Sequence, residues 1–459
     1  MATELRAGVG RAELQPVLGT PMMGYGARRG TANARHDPLF VRALHLEAGE
    51  AALLVECDLC LMAVSQAAAV RRRIGERTGL SPDRILVGCT HTHSGPDTGL
   101  GSLLAGGEPP AFVQPLLDAA VEAGVAAVES SAPAALAAGR AEAHIGRNRR
   151  SADGSADPGA IVLRVDTRGG GPLAVLYVHG CHPTALGHDN LAYSADWPGA
   201  ASRAIEDALP GSGVTAIFAL GAHADVDPRT RGLLDLAIPD QSIGVGPDEM
   251  EALGREVGEA VAKTAASLRP ERDVRIDARA RRIRLQPHPG AADPEDRERL
   301  LARRRSEALA ALGLPGDSEL RTADFYRLEG ERVRDLPDDE TRERRARVRL
   351  YLRDRTARRI AGGEEPEVEV QILRLGPVLL LGLPIEVCVD VGLEWRRRSR
   401  VPLASVVSIA NGWLRYLPHH SHFAEPRADQ RYEILQSTFV PSSAGRLLEA
   451  GLDLAREVS

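Results

Sequence analysis

The chain has 459 residues, of which 43% are hydrophobic, and a formal net charge of −6 at pH 7. This acidic balance provides no basic surface for nucleic acid or for an anionic membrane. No low-complexity linker and no internal repeat divides the sequence. We therefore predict a single domain over residues 1–459.

The expected compartment follows from the termini and the cysteines. The first ten residues, MATELRAGVG, lack the basic and apolar regions of a secretory signal. No apolar run reaches the about 18 residues that a membrane span needs. The five cysteines are an odd number without a signal, which is typical of reduced thiols. We expect a cytoplasmic protein with no membrane span.

Hydrophobic periodicity and turn residues predict alternating strands and helices. In chain order these are strands at 8–14 and 41–58 (a hairpin that turns at Gly49), a helix at 64–78 that ends at Gly79, a strand at 84–90, a helix at 110–129, a strand-like stretch at 134–180, a strand at 214–220, a helix at 248–268, a strand at 274–287, two strands within 368–384, a helix at 387–398, a strand at 403–410 and a closing helix at 444–457.

Residues 290–362 have a different composition from the rest of the chain. They contain long amphipathic helical patterns in which arginines alternate with aspartates and glutamates. Because the acids interleave with the arginines, a solvated helical insertion or an oligomer contact fits better than a nucleic-acid surface. A homo-oligomer is left open.

Three predicted strands each lead into a loop that contains histidine and aspartate. The loops are THTHSGPD, which begins at residue 90, the segment 179–199, and GAHADVDPR at 221–229. Loops at one edge of an α/β sheet usually gather the ligand-binding residues, so we expect these three to converge.

The first of these loops follows directly from an apolar strand. In an extended chain alternate side chains share one face, which places Cys89, His91 and His93 together. Two imidazoles at a strand end are typical of a metal site or a proton-transfer site. The alternative is a pair of hydrogen-bonded histidines in a loop.

A catalytic zinc site needs three protein ligands, sometimes four, and an open position. The candidates at strand ends are His91, His182, Glu386 and Tyr416. Each also has a structural interpretation. His182 precedes a proline and could lie in a turn, Glu386 could stabilise a helix N-terminus, and Tyr416 could be a core aromatic.

Several segments resemble the neutral, non-lysosomal ceramidases. THTHSGP at 90–96 resembles their signature, and the segment 181–199 resembles their His-Pro-Thr stretch followed by Ser-Ala-Asp. GLPIEV at 382–387 is similar to the segment that holds their glutamate ligand, while 411–416 and 431–433 are similar to their two-tyrosine segment. The resemblance extends over nearly the whole chain.

This resemblance implies a fold and a metal. The fold would be α/β, with two stacked mixed β-sheets flanked by α-helices. The helical insertion at 290–362 is predicted from the charged pattern of those residues and not from the resemblance. The resemblance implies one Zn²⁺ held by His91, His182, Glu386 and Tyr416.

The resemblance also implies a reaction, which is hydrolysis of a C–N amide or ester bond by attack of zinc-bound water. Tyr432 would stabilise the oxyanion, and His93 would lie at the substrate and accept a proton. Arg149 and Asp196 would bind the small or amphipathic acyl substrate, although Arg149 could equally be one more exposed arginine. Lactone hydrolysis, acyl transfer, a lyase step or a catalytically silent binding protein are the alternatives.

Three departures from the resembling family bear on the substrate. The chain ends before the family's C-terminal immunoglobulin-like domain, it shows no signal, and Asp227 stands where those enzymes have a serine. We therefore expect the metal chemistry without a serine nucleophile, and poor turnover of long-chain ceramide. A second metal near His223 or near 419–422 is left open.

Overall fold

The computed structural model describes residues 4–104, 106–209, 213–234, 243–289, 293–318, 337–361 and 365–458. Parts of the predicted insertion, at 290–292, 319–336 and 362, lie outside these described residues. The prediction of one domain over 1–459 with an insertion at 290–362 therefore stays a prediction.

The described strands are β1 (Arg6–Leu14), β2 (Ala34–Arg35), β3 (Leu39–Ala48), β4 (Glu50–Cys57), β5 (Ile85–Cys89), β6 (Ala132–Glu142), β7 (Gly146–Asn148), β8 (Gly159–Thr167), β9 (Pro172–His179), β10 (Ala192–Tyr193), β11 (Thr215–Leu220), β12 (Val226–Pro228), β13 (Ile276–Arg284), β14 (Glu367–Leu375), β15 (Val378–Gly382), β16 (Glu386–Val387), β17 (Leu403–Val407) and β18 (Tyr416–Leu417). The described α-helices are α1 (Val64–Thr78), α2 (Leu100–Leu104), α3 (Gln114–Glu129), α4 (Asp196–Ala208), α5 (Pro247–Ser267), α6 (Pro294–Ala311), α7 (Asp338–Ala361), α8 (Val389–Ser399), α9 (Tyr432–Gln436) and α10 (Ser443–Glu457).

The larger sheet is mixed and has eight strands in the order β11-β9-β8-β6-β1-β3-β4-β5. Its two outermost pairs, β9 with β11 and β4 with β5, are parallel, and the pairs between them are antiparallel. Counted through these pairs, β5 runs opposite to β9 and β11. Neighbouring strands rotate by about 20–25° each, so the six steps from β9 to β5 turn the strand direction by well over a right angle. The sheet curls enough for β11 to contact β3, β4 and β5.

A second sheet of four strands, in the order β13-β14-β15-β17, stacks against the first and is also mixed. One apolar cluster joins the two: Leu44 and Leu163 of the larger sheet contact the same core as Leu373 and Leu380 of the smaller one. The expected pair of stacked mixed sheets is confirmed.

Helices cover both outer faces. On the larger sheet, α1, α3, α4 and α5 pack over a core that includes Ile74, Val121 and Val257. On the smaller sheet, α8 and α10 bury Trp395 and Leu447. The layers are therefore helix, sheet, sheet, helix, which is the α/β class that the resemblance implied.

Helix α1 illustrates why the sequence places its elements well. Ala67, Val70 and Ile74 recur at helical spacing and are fully buried against the sheet. Gly79 ends the helix in the left-handed region with φ of 79° and donates its N–H to Gly75. The predicted bounds 64–78 are confirmed.

One helix, Ala111–Glu129, is long and apolar enough to cross a membrane by composition, with a mean hydropathy of 1.4 over the window. Half of that window is buried inside the molecule. Its α3 part lies across β1, β3 and β4 and against α1, which is the packing of a core helix on a sheet.

The two charged helices α6 and α7 pack on each other. Leu309, Leu312, Val348 and Tyr351 form a small apolar cluster between them. Helix α7 also contacts α9, the short helix that begins at Tyr432. We call α6 and α7 the helical pair.

Candidate metal centre

Four buried side chains from four separate strand ends meet at one point. His91 follows β5, His182 follows β9, His223 follows β11, and Glu386 opens β16. One ligand atom of each lies within 4.8 Å of those of the other three. None of the four residues is more than 2% exposed. We call this group the imidazole–carboxylate centre.

The distances in the centre match those between the ligands of a small cation. Glu386 Oε2 lies 3.5 Å from His91 Nε2, 3.6 Å from His182 Nε2 and 3.6 Å from His223 Nε2. In a tetrahedral zinc site with bonds of about 2.0–2.1 Å, two ligand atoms are about 3.4 Å apart. The four atoms therefore need little movement to share one metal ion.

Each imidazole is oriented by a backbone carbonyl. Nδ1 of His91 donates to the oxygen of Cys60 at 2.9 Å, and Nδ1 of His182 donates to that of His223 at 2.9 Å. Nδ1 of His223 donates to the oxygen of Gly221 at 3.1 Å. A carbonyl can only accept, so Nδ1 carries the proton and the Nε2 lone pair points into the centre.

Two imidazole nitrogens and one carboxylate oxygen in the centre are unsatisfied. Glu386 Oε1 accepts from Trp413 Nε1 at 2.7 Å. Glu386 Oε2, His182 Nε2 and His223 Nε2 are buried without a hydrogen-bond partner among the described residues. Such groups destabilise a fold unless something else binds them. These four residues therefore fit a divalent cation.

Glu386 and His223 have the protonation states that a cation needs. Burial alone would raise the pKa of Glu386, but the surrounding imidazoles hold that pKa well below its usual range. Burial, with His182 nearby, lowers the pKa of His223 to about 3. The pKa of His91 is shifted the other way, because burial alone would lower it but Cys60 and Glu386 raise it well above its usual range. A charged carboxylate and a neutral imidazole are both ready to coordinate metal.

The three predicted loops do converge, but they do not meet at one edge of a flat sheet, which is the arrangement that the sequence predicts. Because β5 runs opposite to β9 and β11 within the sheet, their ends do not share an edge of a flat sheet. The curl of the sheet brings them together.

The predicted alternation of Cys89, His91 and His93 is wrong at His91. Strand β5 ends at Cys89, and His91 adopts the left-handed region with φ of 68°. Cys89 lies in the hydrophobic core instead of the centre. The turn at His91 is what directs its ring towards Glu386.

His93 lies beside the centre, as predicted. Its Nε2 is 3.3 Å from His91 Nε2, and its ring meets the ring of Tyr25 edge to face at 4.7 Å. The backbone of Gly24 approaches so closely that an added Cβ would collide with the His93 ring. Burial, together with His91 and His182, holds the pKa of His93 well below its usual range.

Of the two predicted tyrosines, Tyr416 is the neighbour of Glu386, and Tyr432 lies next to Tyr416. Strand β18 pairs with β16 so that Tyr416 lies opposite Glu386. The rings of Tyr416 and Tyr432 are perpendicular, with centroids 5.7 Å apart. Burial and the carboxylate of Glu386 raise the pKa of the Tyr416 hydroxyl well above its usual range. Tyr416 as a metal ligand stays a prediction.

His223 is the residue that the sequence reasoning did not assign to the first metal. The resemblance gives the fourth ligand position to Tyr416, and the sequence leaves open whether His223 binds a second metal. The available signal was its position in the third strand-end loop, GAHADVDPR.

Arg149 is buried and doubly paired, so it is not one more exposed arginine. Its Nε donates to Glu433 at 2.8 Å and its Nη1 to Asp227 at 3.2 Å. Its guanidinium lies 5.3 Å from the ring centre of Tyr432. Nη2 is buried without a partner in the described part of the chain, so Arg149 retains an unsatisfied hydrogen-bond donor.

Asp196 orders the loop after His182. It is fully buried, and its Oδ1 accepts from the amides of Ala185 and Trp197 at 3.1 and 2.8 Å. Its Oδ2 accepts from the amide of Leu186 at 3.0 Å. Burial raises the pKa of Asp196 to about 6. A role in substrate binding stays a prediction, because these contacts are all to backbone amides.

Comparison with known proteins identifies relatives of this chain. A family model described as "Neutral/alkaline non-lysosomal ceramidase, N-terminal" matches residues 5–237. The chain is 28% identical over 247 residues to neutral ceramidase A of Dictyostelium discoideum, which covers 47% of this chain and 35% of that protein. It is 26% identical over 463 aligned positions to the neutral ceramidase of Mycobacterium tuberculosis, which covers 90% of this chain and 70% of that protein. The chain thus matches about a third of the Dictyostelium relative.

Two solved structures share the fold. The neutral ceramidase from Pseudomonas aeruginosa superposes with a TM-score of 0.69 at 21% identity, covering 99% of this chain and 74% of that one. A ceramidase complexed with C2 gives a TM-score of 0.69 at 19% identity, covering 100% and 76%. At these identities the likeness is one of fold.

Proposed function

The chain belongs to the neutral/alkaline non-lysosomal ceramidase family, and on that premise we propose that it is a zinc-dependent hydrolase of an N-acyl amide bond. The observation that carries the proposal is the imidazole–carboxylate centre, in which Glu386 Oε2 lies 3.5–3.6 Å from three imidazole nitrogens. Two of those nitrogens and the oxygen have no hydrogen-bond partner among the described residues.

The proposed metal is Zn²⁺, because imidazole with one carboxylate is a ligand set that zinc favours. His91, His182, His223 and Glu386 would hold it, and the family resemblance adds Tyr416. When bound, zinc would polarise a carbonyl and lower the pKa of a bound water to about 7.

The surrounding residues supply the remaining steps. His93 lies next to His91 and is the proposed acceptor of the proton that the attacking water loses. Tyr432 is the proposed donor to the developing oxyanion. Arg149, which lies over the rings of both Tyr416 and Tyr432, positions the tyrosines and offers its free Nη2 to the substrate.

The proposal needs no protein nucleophile. Asp227 occupies the place of the serine in the resembling enzymes, and its Oδ1 accepts from Arg149 and lies 3.5 Å from His182 Nδ1. These contacts fit a carboxylate that orients His182. We therefore expect no covalent acyl adduct and no inhibition by serine-directed fluorophosphonates.

The substrate is proposed to be an amphipathic N-acyl amide. The curated relatives are named for ceramide, so a ceramide-like lipid amide is the first compound to test. We expect short acyl chains to be better substrates than long ones.

The test combines metal analysis with product identification. Purified protein is assayed for zinc content and then offered short-chain ceramide, long-chain ceramide, simple N-acyl amides and lactones. We expect about one zinc in the imidazole–carboxylate centre, release of a fatty acid and an amine from amides, and loss of activity with a chelator. Activity that survives complete metal removal, or turnover of lactones alone, contradicts the proposal.

A cytoplasmic location is part of the proposal. All five cysteines are free and buried, which agrees with a reducing compartment. Cell fractionation of the native host tests it, and recovery of the protein outside the cytoplasm contradicts it.

A further inference from the structure

A second group of metal-ligand side chains lies next to the imidazole–carboxylate centre. One ligand atom each of Asp225, Cys388 and His422 lies within 4.8 Å of those of the other two. Asp225 and Cys388 are fully buried and His422 is 1% exposed. We call this group the Asp–Cys–His cluster. It belongs to none of the catalytic roles proposed above.

His422 is oriented in the way that metal-binding histidines are. Its Nε2 lies 2.8 Å from Asp390 Oδ2, and the carboxylate can only accept, so Nε2 carries a proton. Its Nδ1 is buried and has no hydrogen-bond partner among the described residues. A histidine that donates one nitrogen to a carboxylate and presents the other to a cation is a frequent arrangement at metal sites.

The neighbouring histidines do not share this arrangement. His419 bonds Ser421 and Glu394 through its two ring nitrogens, and His420 is exposed. The run HHSH therefore contributes one buried histidine to the cluster, and the other two lie at the surface with Glu394.

Asp225 retains one oxygen for a cation. Its Oδ1 accepts from the amide of Val389 at 2.8 Å. Its Oδ2 has only long contacts, 3.4 Å to Asn148 Nδ2 and 3.5 Å to Arg150 Nη1.

The nearby guanidinium of Arg150 does not leave the cluster positively charged. Arg150 is also paired with Glu425 and Glu433. Glu433 is shared with Arg149. With Asp225 and Asp390 the four acids still outnumber the two arginines, and a cation between them remains electrostatically favoured.

We propose that Asp225, Cys388 and His422 form a second metal site, selective for a borderline or soft divalent cation such as Zn²⁺. A thiolate, an imidazole and a carboxylate are ligands that zinc accepts, and Mg²⁺ or Ca²⁺ would not take the sulfur. Binding replaces the proton of the Cys388 thiol, which is released to solvent, by a metal–sulfur bond.

A metal at this site would link the segments that carry the catalytic ligands His223 and Glu386 to the turn His420–Ala424. Asp225 and Cys388 each lie two residues after a member of the imidazole–carboxylate centre, His223 and Glu386. His422 lies in the turn His420–Ala424. A metal here would fix all three segments together, independently of whether the first site is loaded.

Cobalt titration of the metal-free full-length protein tests the proposal. Co²⁺ bound to a thiolate gives a near-ultraviolet charge-transfer band that imidazole and carboxylate ligands do not give. We expect the wild type to bind two equivalents and to show this band. A single equivalent with no thiolate band in the wild type overturns the proposal without any variant.

Variants identify the cysteine that gives the charge-transfer band. Cys388→Ser should reduce binding from two equivalents to one and remove the band, and His422→Ala should also bind one. His91→Ala should lose the other equivalent and keep the band, which separates failure of this proposal from failure of the catalytic site. Cys89→Ser, a buried thiol outside both groups, is the matched control and should keep two equivalents.

Cys60 is the competing source of a thiolate, since its Sγ lies 3.7 Å from His91 Nδ1. Cys60→Ser should leave the band in place. A band that disappears in Cys60→Ser and survives in Cys388→Ser overturns the proposal.

Discussion

The imidazole–carboxylate centre and the helical pair are held together in opposite ways. The centre gathers four residues from positions 91 to 386. Backbone carbonyls of other segments fix His91 and His182, and the side chain of Trp413 fixes Glu386. The helical pair is held partly by ion pairs between its two helices, Arg304 with Asp354 and Arg358 with Glu298, and partly by ion pairs within one helix. The pairs within one helix join Arg299 to Glu295, Arg344 to Glu340 and Arg347 to Glu343.

The difference teaches where substitutions should matter. Exposed ion pairs within a helix contribute about 0.3–0.5 kcal/mol each, so the helical pair depends mainly on its small apolar cluster and on the pairing of the buried Asp354 with Arg304 and Arg353. The centre has no local support of this kind, and the loss of one ligand leaves other buried polar groups unpaired. The same kind of substitution should therefore have a larger effect in the centre than in the helical pair.

The largest effect is expected from removing a histidine of the centre. His91→Ala or His182→Ala takes away a ligand and leaves Glu386 buried without that imidazole. A catalytic metal supplies several kcal/mol of transition-state stabilisation, so activity should fall by about 10³-fold or more. Elemental analysis should show one zinc equivalent fewer in both variants than in the wild type, and an unchanged zinc content in both would refute the assignment.

Asp227→Asn is the matched control for that prediction. Asp227 contacts His182 Nδ1 at 3.5 Å but is not a ligand. Changes to residues that orient a ligand typically cost about 10–100-fold, so this variant should retain metal and lose less activity than His91→Ala.

A smaller difference, in zinc affinity, is expected between variants of His223 and of Tyr416. His223 Nε2 lies 3.6 Å from Glu386 Oε2 with no hydrogen-bond partner in the described chain, whereas the ligand role of Tyr416 comes from resemblance. We expect His223→Ala to weaken zinc binding by more than about 100-fold, beyond the effect of an orienting residue. Tyr416→Phe should weaken it less. Competition with a coloured chelator measures both, and the reverse order would restore the four-ligand set implied by the family.

In the helical pair, the apolar cluster should outweigh the exposed ion pairs. Leu309 is 1% exposed, and Leu309→Ala should destabilise the pair by about 2–4 kcal/mol. Hydrogen exchange should rise in α6 and α7 while zinc content stays at the wild-type level. Equal acceleration throughout the stacked sheets would show that the pair is not a separate unit of stability.

The smallest effect is expected at the helix surface. Arg299→Ala removes contacts with Glu295 and Asp296 at a site where the arginine side chain is 71% exposed. The free energy of unfolding should change by less than about 0.5 kcal/mol. A thermal midpoint far below that of the wild type would mean that the ion pairs carry more than the apolar cluster.

Much of the fold could be predicted because local patterns specify it. Helix α1 has apolar residues at helical spacing and a glycine at its end, and its bounds match the prediction. Three members of the centre, His91, His182 and Glu386, were also found from the sequence, because each follows an apolar strand within a motif of the family.

The remainder depended on backbone conformation and long-range geometry, which periodicity does not encode. The left-handed backbone at His91 broke the expected alternation. The convergence of the three loops required the accumulated twist of the sheet. The burial of Arg149 between Glu433 and Asp227 joins residues up to 284 positions apart, and no local pattern marks such a pair.

Two guanidinium groups contact the ring of Tyr432, and one of them belongs to the helical pair. Arg149 lies 5.3 Å from the ring centre, and Arg349 of α7 lies 5.6 Å from it, with Leu350 packed nearby. If Tyr432 donates to the oxyanion as proposed, catalytic competence is thermodynamically coupled to the folding of the helical pair. Each transient local unfolding of α7 would release the tyrosine while zinc stays in place. Turnover would then fall on heating before the global melting transition, and the metal would still be bound when the activity is gone.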